Sequence, residues 1–401
     1  MRFELNIDYP VEKMAQSRRR MEAAAAFQYV DRVPVGFCLV PRYFTPIFGI
    51  PYRAIFASAE EQYRWQLEFL KYRIENIPED IVCTGPTLSV GPYFDNVLDS
   101  AAFGAEVVWP ENETLHSRPT IPTVEAMARY QPPAPGSGLW GQARDWWLQM
   151  RDFARDTKLM FNDGSSAIRV EGSVQVAALG ISGLSPHMIA VDLVGGSFYE
   201  WQLEYPDECH AFLTKITDGL IEAQRYFMTV DPRPRGGLGL AEDTAQAMSA
   251  VQFREFCVPY AIKLFDTFAR EPGSARGMHM CGQSAHLHEA LMQDLRITSF
   301  DLFGYLVQPE VAAANLGGRV QLWGNINPML MLNGTKAQVK QAAREALEAL
   351  APCGGYRLGD GANVCPGTPV ENLAALTEAA EEYGLPPGAS RGQEAAAAGG
   401  R

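Results

Sequence analysis

Residues 236–282 read GGLGLAEDTAQAMSAVQFREFCVPYAIKLFDTFAREPGSARGMHMCG, and the spacing of their apolar positions changes twice. Gly236 to Leu240 is a short run bounded by glycine, Ser249 to Arg270 carries apolar residues at helical spacing, and Ala275 to Met280 is a second short run. Strand, helix and strand in that order predict two parallel strands joined by a crossover helix.

The alternation continues in both directions. Further candidate strands are Val33 to Leu39, Asp80 to Thr84, Ile168 to Glu171, Ser299 to Phe303, Val320 to Gly324 and Tyr356 to Leu358. Helical spacing recurs over Glu60 to Ile77, Pro206 to Phe227, Thr335 to Ala351 and Pro369 to Tyr383, with Thr335 placed to cap its helix and Pro369 early in the last one. Eight strands separated by helices predict an α/β chain folded as a (β/α)8 TIM barrel. Its N-terminal half is elaborated: between the second and third strands, residues 110–167 contain the breaker cluster QPPAPGSG and the aromatic helix LWGQARDWWLQMRDFARD. Residues 1–385 are expected to form one barrel domain, and residues 386–401, rich in Gly and Ala, a flexible tail.

The charge balance, 34 basic against 47 acidic side chains for a net −13, argues against nucleic acid or anionic membrane as a partner. No apolar run is long enough to span a bilayer, and the N-terminus lacks the pattern of a signal peptide, so the expected compartment is the cytosol. The seven cysteines (Cys38, Cys83, Cys209, Cys257, Cys281, Cys353, Cys365) are scattered and odd in number, which points to reduced thiols and a metal rather than a disulfide scaffold. GGLGLAE fails the G-x-G-x-x-G pattern, so no phosphate loop is expected.

His279 and Cys281 stand two residues apart at a strand end, which puts both side chains on one face. Cys365 follows the eighth candidate strand, and a closed barrel returns that strand end to the same mouth. Imidazole plus two thiolates with one open position is a catalytic zinc arrangement. Two thiolates neutralise Zn²⁺, so a third thiolate from substrate leaves the centre net negative and that sulfur nucleophilic at neutral pH. The competing account is that Cys281 and Cys365 are small buried hydrophobes and His279 a hydrogen-bonded core residue.

RRMEAAAAFQYVDRVPVGF, FGAEVVWPENE, GSVQVAALGISG, YPDECHAFLTKITDGLI, AEDTAQAMSAVQFREFCVPYAIKLF, MHMCG, LWGNINP and VCPGTPVENLAAL together resemble the uroporphyrinogen decarboxylase superfamily, nearly end to end. Within it, the His-x-Cys and distant Cys are similar to the zinc-dependent methyltransferases that serve corrinoid proteins. The resemblance implies a barrel, zinc at His279, Cys281 and Cys365, and methyl transfer between a small-molecule thiol or methoxylated compound and a carrier. No Asp-x-His-x-x-Gly segment for cobalamin occurs here, so the carrier, a corrinoid or a folate, is supplied in trans, by a corrinoid protein in the first case. True porphyrinogen decarboxylases carry an Arg-rich segment after the first strand, where this chain reads GFCLVPRYFTPIFGIP and keeps only Arg42. A decarboxylase of a smaller acid is the alternative enzyme, a zinc- or thiol-binding module the non-enzymatic one, and a homodimer is left open.

Supporting residues follow from strand ends. Glu242 and Asp243 are candidates for a fourth ligand, a substrate anchor or a proton acceptor, against the alternative of a helix cap. Asp301, with the catalytic group, and Asn325 and Asn327, with substrate, are placed after the sixth and seventh strands, where turn chemistry explains them equally well. Glu171 and Tyr93 are further substrate-binding candidates. His286 and His288 point apart on a helix and are expected at the surface, and Cys353 at the opposite barrel end.

Overall fold

A computed structural model of the protein describes residues 3–163 and 169–384. Its strands, in chain order, are β1 (Phe3–Asp8), β2 (Thr87–Val90), β3 (Glu106–Val108), β4 (His116–Arg118), β5 (Thr157–Asn162), β6 (Arg169–Val176), β7 (Gly237–Ala241), β8 (Ala275–His279), β9 (Ser299–Asp301), β10 (Gln321–Ile326) and β11 (Tyr356–Asp360). β7 to β11 form a parallel sheet in sequence order, the arrangement that crossover helices impose.

Register explains why the strands read as they do. Leu240, Met278, Phe300, Leu322 and Tyr356 lie side by side as one row, all nearly fully buried. The next row, Ala241, His279, Asp301, Trp323 and Arg357, turns to the opposite face because strand side chains alternate. One row is apolar packing against the helices. The other carries the polar groups of the barrel interior, where Arg357 lies over the Trp323 ring and pairs with Asp301.

The ring closes through less regular chain. Val35 bridges Leu358 in parallel, the Asp80 amide donates to the Val35 carbonyl at 2.7 Å, β2 pairs β6, and Leu184 bridges Ala241. The protein is thus a TIM barrel, but its first two strands differ from expectation. Val33 to Leu39 forms a single bridge because Pro34 lacks an N–H, and the regular part of the second strand is Thr87–Val90 rather than Asp80 to Thr84. β6 runs on to Val176, well past the expected end at Glu171, while Ile168 falls outside the described residues, as do residues 386–401.

Two helical expectations are refined. The helix after β7 is broken at Cys257 into Ala250–Phe256 and Val258–Phe268, since Pro259 cannot continue the hydrogen-bond ladder. Pro369 takes the N-cap position of Val370–Tyr383 instead of its first turn. Thr335 caps Lys336–Leu350 in a reciprocal box with Gln338.

Residues 110–167 hold β4, β5 and two helices, of which Gly138–Arg155 buries Trp140 and Trp147. The Trp140 indole donates to Asp99 at 2.9 Å and that of Trp147 to the Ala177 carbonyl at 2.8 Å, so the segment is pinned to the chain leading into the active face. β1 pairs with β5, which runs antiparallel to β6, outside the ring. Cys353 lies just before β11, at the barrel end away from His279. Among the described residues, no helix is long and apolar enough to cross a membrane.

Candidate metal centre and active site

At the C-terminal end of the barrel a cavity of about 470 Å³ opens between the strand-end loops. Asp243, His279 and Cys281 line it together with Cys38, Arg42, Tyr93, Asp95 and Asn363. This is the end at which barrel enzymes carry their chemistry, because each βα loop delivers a side chain there.

β8 ends on His279, and the chain continues to Cys281. The His279 Nδ1–H donates to the Asp301 carbonyl at 3.1 Å, which fixes the tautomer and leaves the Nε2 lone pair facing the cavity. Nε2 lies 2.9 Å from Cys281 Sγ and 3.7 Å from Asp243 Oδ1. Asp243 Oδ1 also accepts the Cys281 amide at 2.7 Å. One nitrogen, one sulfur and one carboxylate oxygen thus lie within 4.8 Å of one another. Bonds of about 2.0 to 2.3 Å from a single ion reach all three.

The electrostatics favour a cation there. Burial, then the neighbouring Asp243 carboxylate, pushes the Cys281 thiol well above the usual range. Without a cation that sulfur stays protonated; a divalent ion beside it reverses the balance and yields the thiolate.

Cys365 is not part of this group. It stands on the loop after β11 at the same barrel end, with Sγ 3.9 Å from Met329 Sδ. Asn363, two residues earlier, does face the cavity and accepts from the Cys38 thiol at 2.9 Å.

The remaining candidates divide. Tyr93 lines the cavity, its hydroxyl donating to Asp95 at 2.7 Å. Glu242 does not: its carboxylate turns behind the cavity into a buried group with His187 and Cys257. Asp301 contributes its backbone carbonyl to His279, while its carboxylate pairs with Arg357 at 3.2 Å. Asn325 is buried and donates to the Gly304 and Val307 carbonyls, which shapes the loop after β9. Asn327 caps the Pro328–Asn333 helix, the turn role that its residue type also suggested. Glu171 is exposed near the start of β6, far from that strand's cavity end, because the strand is longer than expected.

His288 is buried, contrary to the surface position expected for it, whereas His286 is exposed. His286 lies in a 3-10 turn, Ala285–Leu287, and His288 opens the following α-helix, so the two do not follow one helical phase. Burial pulls the His288 imidazole down to about 4, and Asn315 lies 3.2 Å from its Nδ1.

Four of these cavity residues escaped the sequence: Cys38, Arg42 as an interior group, Asp95 and Asn363. Asp95 has a left-handed backbone, φ 48°, unusual for a non-glycine residue, and holds Tyr52, Tyr93 and the Leu115 amide. Arg42 lines this cavity and the adjoining one of about 420 Å³, and its buried Nε has no protein partner.

A barrel with a nitrogen, sulfur and oxygen donor set at its C-terminal mouth defines the class, a barrel of enzyme type with a site suited to a soft divalent metal. Residues 89–383 match the uroporphyrinogen decarboxylase (URO-D) family, and the chain belongs to that family. It is 25% identical to uroporphyrinogen decarboxylase of Danio rerio over 54% of this chain and 59% of the relative. It is 24% identical to a methylated-thiol–coenzyme M methyltransferase of Methanosarcina mazei over 74% of this chain and 72% of the relative. With a methylcobamide:CoM methyltransferase of Methanosarcina barkeri, identity is 28% over 49% of this chain and 56% of the relative. The chain therefore spans little more than half the length of two of these three relatives. A solved methyltransferase from Methanosarcina mazei superposes with TM-score 0.63 and 20% identity, covering 92% of this chain and 98% of that one, which supports the barrel fold. The matched relatives are enzymes, methyltransferases and decarboxylases alike.

Proposed function

We propose that the protein is a zinc-dependent methyltransferase of the cytosol that moves a methyl group between a small-molecule thiol or methoxylated compound and a corrinoid or folate carrier, a corrinoid protein supplying the first in trans. The observation that carries this reading is the convergence of His279 Nε2, Cys281 Sγ and Asp243 Oδ1 in one cavity. His279, Cys281 and Cys365 are the proposed zinc ligands; the first two already converge with Asp243, and Cys365 would have to join them from the loop after β11. Bound there, zinc supplies Lewis acidity that lowers the pKa of a thiol or polarises a methoxy oxygen.

The chain's own groups do the rest. The Asp301 carbonyl orients His279 for binding through Nε2. Asp243, 3.7 Å from His279 Nε2, would accept the proton that an incoming thiol releases. Tyr93 and Asp95 present a polar wall, and Arg42, whose buried Nε has no protein partner, offers its guanidinium to an anionic group of the substrate. One such arginine suits a small anion better than a porphyrinogen with many carboxylates, which favours methyl transfer over porphyrinogen decarboxylation.

The test is metal stoichiometry. The purified protein is expected to hold about one zinc per chain, lost in Cys281→Ser and in Cys365→Ser. Decarboxylation of a small acid that survives zinc removal overturns the reading in favour of a decarboxylase. A metal saturated by four protein ligands, with no exchangeable position, supports a binding module instead.

A further inference from the structure

Directly behind the proposed metal centre lies a second cluster, His187, Glu242 and Cys257, exposed by only 0, 2 and 4%. Their donor atoms approach within 4.8 Å, as in a metal site. Protein hydrogens, however, already occupy the carboxylate. Ser185 Oγ–H donates to Oε2 and Thr244 Oγ1–H to Oε1. The Cys257 thiol lies beside the same group and donates to Met248 Sδ at 3.8 Å. Thr244 Oγ1 accepts in turn from His187 Nδ1 at 2.9 Å, and the Gln202 amide meets His187 Nε2 at 2.8 Å. With a hydroxyl donor on each oxygen, the carboxylate is the hub of a buried hydrogen-bond network.

The hub connects to the metal centre through one residue of backbone. The Glu242 amide donates to the His279 carbonyl at 2.9 Å, and the next residue is Asp243, whose carboxylate faces His279 Nε2 and holds the Cys281 amide. On its far side the hub anchors to the chain before β7, through Ser185, whose hydroxyl also caps the Pro186–Val194 helix and whose amide donates to the Ala241 carbonyl at 3.0 Å.

We infer that Glu242 is a positioning residue for the metal centre: its buried carboxylate gathers Ser185, Thr244 and His187 and so holds the 241–244 corner where Asp243 and His279 face one point. The inference rests on the zinc reading above. The Ser185 and Thr244 hydroxyls each give a hydrogen, so each carboxylate oxygen must accept. Glu242→Gln keeps the size but replaces one acceptor oxygen by an NH2 group, so the hydroxyl that donated to that oxygen must turn away. Thr244→Val keeps the shape and removes the link between His187 and Glu242.

The experiment measures Zn²⁺ affinity by competition with a chromophoric chelator, and the visible spectrum of the Co²⁺-substituted protein, for wild type, Glu242→Gln, Thr244→Val and Thr244→Ser, with circular dichroism to establish folding. The expected result is a roughly 10- to 100-fold weaker Zn²⁺ affinity in Glu242→Gln and Thr244→Val, the range typical of lost outer hydrogen bonds, with shifted Co²⁺ bands. Thr244→Ser, which keeps the hydroxyl, is expected to restore wild-type values. If Glu242→Gln does not fold, Thr244→Val carries the test alone. A folded Glu242→Gln or Thr244→Val with wild-type affinity and spectrum overturns the positioning role while leaving the zinc reading intact. Wild type that binds no Zn²⁺ overturns both, and one zinc retained in Cys281→Ser but lost in Glu242→Gln shows the hub to be the metal site itself.

Discussion

Asp360, the last residue of β11, offers a direct physical test because its carboxyl is fully buried on a strand end beside the active cavity. Its Oδ1 accepts the Cys38 amide at 2.9 Å, while the buried Oδ2 has no partner. Burial raises this acid from 3.8 to about 7. As pH rises, the unfolded chain loses the proton first while the folded protein still holds it, so stability falls through the window from 3.8 to about 7 and levels off above it. At about 1.4 kcal/mol per unit, the ionised carboxylate costs on the order of 4 kcal/mol at about pH 8. Asp360→Asn has the shape of the neutral acid and is free of this penalty. The variant is expected to be more stable than wild type by on the order of 4 kcal/mol at about pH 8, and by less than about 1 kcal/mol near pH 4. With an unfolding entropy of about 2.1 cal/mol/K per residue, the high-pH difference is roughly a 5 °C rise in Tm. Calorimetry of chelator-treated protein at both pH values measures it. A Tm difference independent of pH, or a loss of stability at about pH 8, refutes the reasoning.

Other expectations follow from single contacts. His288 is buried neutral, so the unfolded chain takes up its proton first on acidification, and stability is lost as pH falls from 6.5 to about 4; His288→Gln should flatten that limb by roughly 2–3 kcal/mol, read from urea midpoints across the window. Arg42→Met should raise KM for an anionic substrate about 10- to 100-fold with little change in kcat, because Arg42 lines the cavity and its buried Nε has no protein partner; an unchanged KM removes it from the substrate site. Thr335→Ala should cost about 1 kcal/mol by breaking the capping box with Gln338, and a zero shift in urea midpoint contradicts that account.

The parts of the fold legible in the sequence are those where local chemistry and global topology agree. β7 to β11 share one buried apolar row, so their existence and order follow from pattern, though three of them end at Ala241, His279 and Asp301 where the sequence pointed to Leu240, Met280 and Phe303. The first two barrel strands are blurred by Pro34, Gly36 and Pro86, whose ladder contacts are few. In the site, the spacing of His279 and Cys281 sufficed to pair them. It could not separate Glu242 from Asp243, adjacent carboxylates whose side chains leave the strand end in opposite directions, one into a buried hub and one into the cavity. Nor does sequence register show the fold of the 361–368 loop, which decides where Cys365 stands. Asp95 gave a weak signal, a polar residue in GPYFDN, which a left-handed backbone turns inward.

The central claim is methyl transfer that depends on zinc at His279 and Cys281. Its most direct test is the loss of the methylcobalamin absorbance on mixing with the zinc-loaded protein and a small anionic thiol, in wild type, zinc-stripped wild type and Cys281→Ser. The account predicts demethylation with formation of the methyl thioether by the zinc-loaded wild type alone, restored on adding zinc back to the stripped protein. Equal rates with and without zinc, or in Cys281→Ser, contradict it.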